Sequence, residues 1–319
     1  MKTINQLEAG TTVVGFFLAK SATFKSTNNQ KPYLDLILSD KTGEISAKVW
    51  DLPDDIEEIF PERTTPLIKI KAVVTEWQGK LQLKVERIRS VQPEDGVQLE
   101  DYVQTAPIDS EQMLGTIKQY VQSISNGDIQ KLVAFILEDV AERLAYYPAA
   151  KRNHHSVRGG LLYHILTMLR CGEALANIYP HINRDLLYAG IILHDIAKID
   201  EMDADELGIV SDYTVEGHLL GHIVQGVKRV EQAAKELDID REVSLLIQHM
   251  IISHHSQPEF GSPKPPMIPE AELLHHIDMI DSRMYDMHKA LDTTAEGQSF
   301  SEPVWSLNHR RIYKSNIGM

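Results

Sequence analysis

The segment Leu187-Tyr188-Ala189-Gly190-Ile191-Ile192-Leu193-His194-Asp195 decides how this chain is read. An apolar run stops at an imidazole and a carboxylate, and Lys198 follows one turn later. Histidine is the commonest transition-metal ligand, and carboxylates are its usual companions. A single His-Asp pair carries little weight alone, so its surroundings matter. Apolar positions three and four residues apart predict helices over 109–125, 128–146, 160–177, 184–199, 217–237, 241–254 and 270–291. Asp109 and Asp128 have N-cap chemistry. His164 falls on the helix before the segment, and His218 and His222 on the helix after it. His254-His255 end another helix, and Asp278 and Asp281 lie on the last long one. Facing helices of a bundle can offer such groups to paired ions. All 14 histidines lie after Asn153, and 13 of them fall between His154 and His288.

The histidine-free front reads as strands. Residues 12–18 are β-branched and aromatic, and 33–38 follow a polar stretch. Asp40-Lys41-Thr42-Gly43 is a turn, after which 44–50 alternate polar and apolar. Residues 53–60 fit one short helix. Residues 67–74 pair through Gln78-Gly79 with 81–85. Five strands with a helix between the third and fourth match the order of an all-β OB-fold barrel. The expected layout is a barrel over 1–92, a linker over 93–108, a helical domain over 109–300 and a tail over 301–319. The proline-rich stretch 256–269 is expected as an ordered loop or arm.

Composition bounds the rest. The 319 residues allow one large domain or two to three ordinary ones. With 43% hydrophobic and 24% charged residues, wholesale disorder is excluded. The longest apolar run, Leu186 to Leu193, is too short to span a bilayer, so no membrane partner is expected. The opening MKTINQLEAG has no apolar signal segment, which points to the cytoplasm. Cys171 is the single cysteine, which excludes a disulfide framework and a Cys-rich zinc module. The net charge of −14 speaks against broad, charge-driven duplex binding. It is unevenly spread. Residues 1–95 hold 13 Lys+Arg and 14 Asp+Glu, whereas 96–319 hold 19 and 32.

The order H…HD…H…HH…D from His164 to Asp278 resembles the HD-domain metallophosphohydrolase superfamily. The likeness narrows with Tyr147-Pro148-Ala149-Ala150, His154-His155 ahead of Gly159-Gly160-Leu161, the 187–195 segment, and Gly261-Ser262-Pro263-Lys264-Pro265-Pro266-Met267. Together these are similar to the YhaM-type 3′–5′ exoribonucleases, in which an OB-fold precedes an all-α HD-domain helical bundle. Many HD relatives outside that type have Glu-His-Thr where this chain has Tyr163-His164-Ile165. The departure concerns the flanks of the histidine.

The resemblance implies seven metal ligands: His164, His194, Asp195, His222, His254, His255 and Asp278. His222 is preferred to His218 because Gly226 follows it four residues on, as in the superfamily's fourth motif. Asp278 is preferred to Asp281 because it directly follows the apolar run 273–277. His155 and His218 are expected beside the ligands. Seven ligands exceed the need of one ion, so two divalent ions bridged by Asp195 are expected. Imidazoles and carboxylates without thiolate suit manganese, iron or cobalt. The resemblance implies manganese, with cobalt as a substitute. Asp195 and Lys198 are the catalytic candidates, with Lys198 contacting a phosphate oxygen or orienting Asp195.

Strand-binding candidates come from OB-fold physics, in which bases stack on aromatics along a basic groove. Trp77 and Lys80 sit at the 76–80 hairpin, and Phe24, Lys25 and Lys31 in the 21–32 loop. Lys151, Arg152 and Arg158 form a basic cluster near the histidines. The leading reading is a metal-dependent 3′–5′ exoribonuclease for single-stranded RNA, with single-stranded DNA as a second substrate. A homo-oligomer is compatible with it. The competing readings are a phosphohydrolase of free or cyclic nucleotides and a non-catalytic single-strand-binding or replication factor.

Overall fold

The computed structural model describes all residues except Met1, Asn28, 61–65, 98–100, 152–154, Glu296 and 318–319, together with the side chain of Phe260. The chain divides into two compact units, 1–105 and 106–319.

In the first unit five strands close a barrel in the order β1-β2-β3-β5-β4, with β4 returning to β1. These are β1 (Thr12–Ser26), β2 (Pro32–Asp40), β3 (Gly43–Val49), β4 (Leu67–Trp77) and β5 (Lys80–Ser90). A short helix, α1 (Ile56–Ile59), separates β3 from β4. β3 and β5 run parallel, and the other pairs are antiparallel. This is the OB-fold. Strict alternation builds its interior: Leu34, Leu36 and Leu38 from β2, Ala47 and Val49 from β3, and Ile68, Ile70, Ala72 and Val74 from β4 are buried. Each such Leu or Ile contributes about 1.5–3 kcal/mol by leaving water. β1 runs eight residues beyond the predicted strand. Residues 20–26 are exposed and carry no burial pattern, yet they pair with β2, as in Lys25↔Tyr33, after a register shift between Ala19 and Ser21. Part of the expected linker lies with the barrel. Asp95 is held by Arg89 and Lys69, and Tyr102 meets Phe16 edge-on.

The second unit is helical: α2 (Ser110–Ser123), α3 (Gly127–Leu144), α4 (Gly160–Ile178), α5 (Arg184–Leu193), α6 (Lys198–Glu201), α7 (Val215–Glu236), α8 (Arg241–Ser253) and α9 (Pro269–Asp292). Every residue of α5 from Leu186 to Leu193 is buried, as suits a helix apolar all round. The predicted helix over 184–199 instead breaks after Leu193. The His194 ring donates to the Ile191 carbonyl at 2.8 Å, the acceptor that the next helical amide would use. Turn bonds follow, including Ile196 N–H to Leu193 O and Lys198 N–H to Asp195 O. Between α6 and α7 lies a hairpin that sequence periodicity did not reveal, β6 (Met202–Ala204) with β7 (Val210–Tyr213). Its strands are three and four residues long, too short for a readable alternation.

In the proline-rich loop Ser262 is buried and accepts from the His255 amide. The C-terminal tail also has structure. Phe300 pairs with Tyr313 and Val304 with Arg310, Leu307 is buried, and Ser306 bonds Asp286 of α9.

Candidate metal centre

Asp195 stands at the middle of four imidazoles. Its Oδ2 lies 3.4 Å from His194 Nε2 and 3.9 Å from His164 Nε2. Its Oδ1 lies 3.3 Å from His222 Nε2 and 3.7 Å from His254 Nε2. The two oxygens thus face two different sets. Asp278 Oδ1 joins the first set, 3.4 Å from His164 Nε2. His255 joins the second, within ligand distance of His222 and His254. All seven predicted ligands are therefore brought together. His164, His194, Asp195 and His254 are buried.

Four of the rings, His164, His194, His222 and His254, are aimed by a contact at the far nitrogen. His194 Nδ1 donates to Ile191 O, and His254 Nδ1 donates to Ile251 O at 2.7 Å. A carbonyl can only accept, so Nδ1 carries the proton and Nε2 presents its lone pair. The same bond ends α8, because Ile251 O is no longer available to the His255 amide, which turns to Ser262. His222 Nδ1 faces Glu201 Oε1 at 3.0 Å, and His164 Nδ1 faces Asp281 Oδ2 at 2.7 Å. Such outer contacts fix tautomer and orientation in metal sites. Glu201 and Asp281 were not selected from sequence as partners of the histidines. Asp281 had a signal, one turn from Asp278 on the same helix, but Glu201 had none.

On the inner side, Nε2 of His194, His222 and His254 and Oδ1 of Asp195 are buried with no hydrogen-bond partner among the described residues. Buried polar atoms are normally satisfied. Three lone pairs and a carboxylate oxygen converging in this way make a donor set for cations.

The electrostatics agree. Burial pushes His254 well below the usual imidazole range, reinforced by His255 and His194, so it is neutral. Burial alone would raise Asp195, but Lys198 and His194 hold it well below the usual carboxylate range. Burial alone would lower Lys198, but Asp195, 2.6 Å away, holds it above the ordinary lysine value. His164 is likewise lowered by burial, yet its bonds to Asp278 and Asp281 carry it up to about 9. The field that favours a proton there also favours a cation.

Other candidates fall outside this cluster. His155 is buried behind it, its Nε2 2.7 Å from the same Asp281 oxygen that meets His164. His218 is not brought in: its ring is exposed and lies against Tyr213. Gly221, with φ 68° and ψ 166°, breaks the helical phase between His218 and His222, so a four-residue spacing does not give a shared face. Lys151 bonds Ser211 O and Asp212, and Arg158 bonds Glu206 O, so both fasten the β6–β7 hairpin. Arg152 lies outside the described residues. On the barrel, Trp77 and Phe24 are 65% and 51% exposed, and Lys80 is exposed. Lys25 pairs with Asp35 and Lys31 with Asp51. No helix among the described residues is long and apolar enough to cross a membrane.

Comparison with known proteins places this geometry in a family. The HD domain family matches residues 161–283, and a second family, "Putative helicase", matches 103–179. Among solved structures, the second OB-fold domain of replication protein A from Methanococcus maripaludis aligns with 28% of this chain and 94% of its own, at 17% identity and a TM-score of 0.23. The chain is 42% identical over 307 residues to the 3′-5′ exoribonuclease YhaM of Bacillus subtilis, covering 96% of each. It is 44% identical over 316 residues to the enzyme of that name from Shouchella clausii, covering 99% of this chain and 97% of that one. With such identity along nearly the whole of both chains, and the predicted HD residues converging within one of its two units, the protein belongs to the YhaM family of 3′-5′ exoribonucleases.

Proposed function

We propose that this protein shortens single-stranded RNA from its 3′ end by metal-dependent hydrolysis in the cytoplasm, with single-stranded DNA as a second substrate. The barrel, expected over 1–92, holds the strand, and the helical domain, expected over 109–300, cuts it. One observation carries the reading: the two oxygens of Asp195 face two separate imidazole sets, and Nε2 of His194, His222 and His254 turns inward with no hydrogen-bond partner among the described residues. In this reading His164, His194 and Asp278 would hold one ion and His222, His254 and His255 the other, with Asp195 placed between the two sets. Bound ions supply charge stabilisation to both oxygens of an in-line phosphoryl displacement. The nitrogen and oxygen donors suit manganese, with cobalt as a substitute.

The chain's own groups do the positioning. Lys198 is buried and tied to Asp195 Oδ2, so its role is to orient the bridging carboxylate and balance its charge. The lone pairs of His194 and His254 point inward because backbone carbonyls hold their other nitrogens. A phosphohydrolase of free nucleotides would need no strand-binding barrel, and a non-catalytic factor would have no need of an intact ligand set.

The test uses single-stranded RNA labelled at the 5′ end, incubated with EDTA, Mg²⁺ or Mn²⁺. A ladder shortening from the 3′ end, present with Mn²⁺ and absent with EDTA, is the expected result. No metal-dependent shortening would sink the reading. Labelled DNA of the same sequence reports on the second substrate.

A further inference from the structure

The barrel carries a second aromatic station that the strand-binding candidates above do not include. Tyr33 of β2 and Trp50, directly after β3, stack with ring centres 4.6 Å apart and planes 28° from parallel. Leu34 and Val49 point into the barrel beside them, so alternation turns both rings outward. Lys48 Nζ lies 5.4 Å from the Tyr33 ring centre and 5.8 Å from that of Trp50. Such contacts fix aromatic rings in place. This pair is a prearranged platform whose outer surface is only partly covered.

Strand register links it to Trp77. Trp77 pairs with Lys80 across the β4–β5 hairpin, so the two share a face. Lys80 and Lys84 lie on the outer side of β5. Lys84 is paired with Lys48 across the parallel β3–β5 seam. From Lys80 to Lys84 is four residues, and Trp50 stands two residues beyond Lys48. The two aromatic stations are therefore separated by about 20 Å of strand, with three lysines between them.

The charge pattern singles out the same seam. Six other barrel lysines, between Lys20 and Lys71, pair with carboxylates. Lys48, Lys80 and Lys84 have no carboxylate at ion-pair distance among the described residues. Acids lie within longer reach, Asp35 directly opposite Lys48 on β2 and Asp51 and Glu86 near Lys84, but none of them holds either ammonium at ion-pair distance. Both ammonium groups are thus left for phosphates.

We propose that the RNA strand runs along the β3–β5 seam, with bases stacked on Tyr33–Trp50 at one end and Trp77 at the other, and phosphates on Lys48, Lys84 and Lys80. The proposal rests on the RNA-degrading reading and gives it a path. The span suits about four nucleotides, the lower end of OB-fold site sizes.

The experiment measures binding of a fluorescein-labelled 12-nucleotide RNA by the full chain, across a salt series. Lys48→Glu/Lys84→Glu should weaken binding at least tenfold and reduce the salt slope by about 1.4, at about 0.7 per phosphate contact. Trp50→Ala should weaken it about tenfold. The control Lys20→Glu/Lys41→Glu makes the same charge change elsewhere on the barrel and should have a small effect. Mn²⁺-dependent hydrolysis of a small chromogenic phosphodiester should be unchanged in the Lys20→Glu/Lys41→Glu control, and a thermal melt checks that all three variants are folded. Should Trp50→Ala fail to fold, the surface lysine variants still decide. Unchanged binding by Lys48→Glu/Lys84→Glu, or an equal loss in the control pair, overturns the seam while leaving the exonuclease reading standing. A wild-type protein that neither binds nor shortens RNA overturns that reading, and the seam with it.

Discussion

Glu201 accepts two hydrogen bonds from His222, one from its backbone amide at 2.9 Å and one from its ring at 3.0 Å, both at Oε1. Burial alone would raise this carboxyl, but its bonds to His222 and the nearby Lys198 hold it below the usual range, so it stays an acceptor. The left-handed Gly221 delivers both donors to one oxygen by turning the chain just before His222. Glu201→Ala should therefore weaken Mn²⁺ binding about 10- to 100-fold, the usual cost of losing such an orienting partner. Competition against a fluorescent chelator measures this directly. Glu201→Gln keeps an acceptor oxygen and should lose less. If both variants bind Mn²⁺ like the wild type, His222 is not positioned through Glu201.

The approach of α7 to Glu201 depends on Gly217. A Cβ there would meet the Glu201 carbonyl oxygen at 2.1 Å, and backbone cannot step aside as a flexible side chain can. Gly217→Ala should destabilise the protein by about 1–3 kcal/mol. It should also weaken Mn²⁺ binding, because Glu201 moves. A melting temperature and a Mn²⁺ affinity both equal to wild type would show that the contact relaxes freely.

These two residues mark the limit of what sequence could say. The barrel was legible because β2, β3 and β4 alternate strictly, and the long helices because their apolar faces repeat. The seven converging side chains were legible through their order along the chain. Residues 20–26 were not, since both faces of that ribbon meet water. Glu201 was not, because its partner lies 21 residues away across a hairpin too short to show a period. His218 misled for a related reason: a four-residue spacing implies one face only while the helix is continuous, and Gly221 interrupts it.

Asp195 and Lys198 form a buried ion pair, and this bears on how Asp195 is best tested. Asp195→Ala should abolish RNA hydrolysis. It also strands the Lys198 ammonium in the interior, a loss of about 3–5 kcal/mol. Adding Lys198→Met removes the stranded charge. The double variant should regain most of the stability while remaining inactive. Denaturant unfolding alongside the RNA ladder separates the two effects. Near-normal hydrolysis by Asp195→Ala would remove it from the reaction.

Cation binding to the orphaned nitrogens should appear as stability. Ions bound only by the folded chain stabilise it by about 2.7 kcal/mol at 100 times the dissociation constant. For a domain of the helical unit's size, that is a rise of about 5–10 °C in Tm. Protein treated with a chelator and passed into Mn²⁺ should show this rise in a thermal melt, and Asp195→Asn should show much less. Equal melts with and without Mn²⁺ would contradict the donor set.

Trp77 separates strand binding from bond cleavage. Its ring is 65% exposed at the end of β4, so it contributes little to the barrel's interior. Truncating it should leave the fold intact and remove one stacking contact, about 1–3 kcal/mol per base. Trp77→Ala should therefore raise the KM for a 12-nucleotide RNA about 5- to 150-fold, while a dinucleotide or a chromogenic phosphodiester is cleaved at nearly the wild-type rate. The contrast matters more than either number. An interior role would lower both activities together, through loss of folded protein, and would show in the melting temperature. A stacking role lowers only the activity that depends on a long strand. Equal losses on long and short substrates would assign Trp77 to structure.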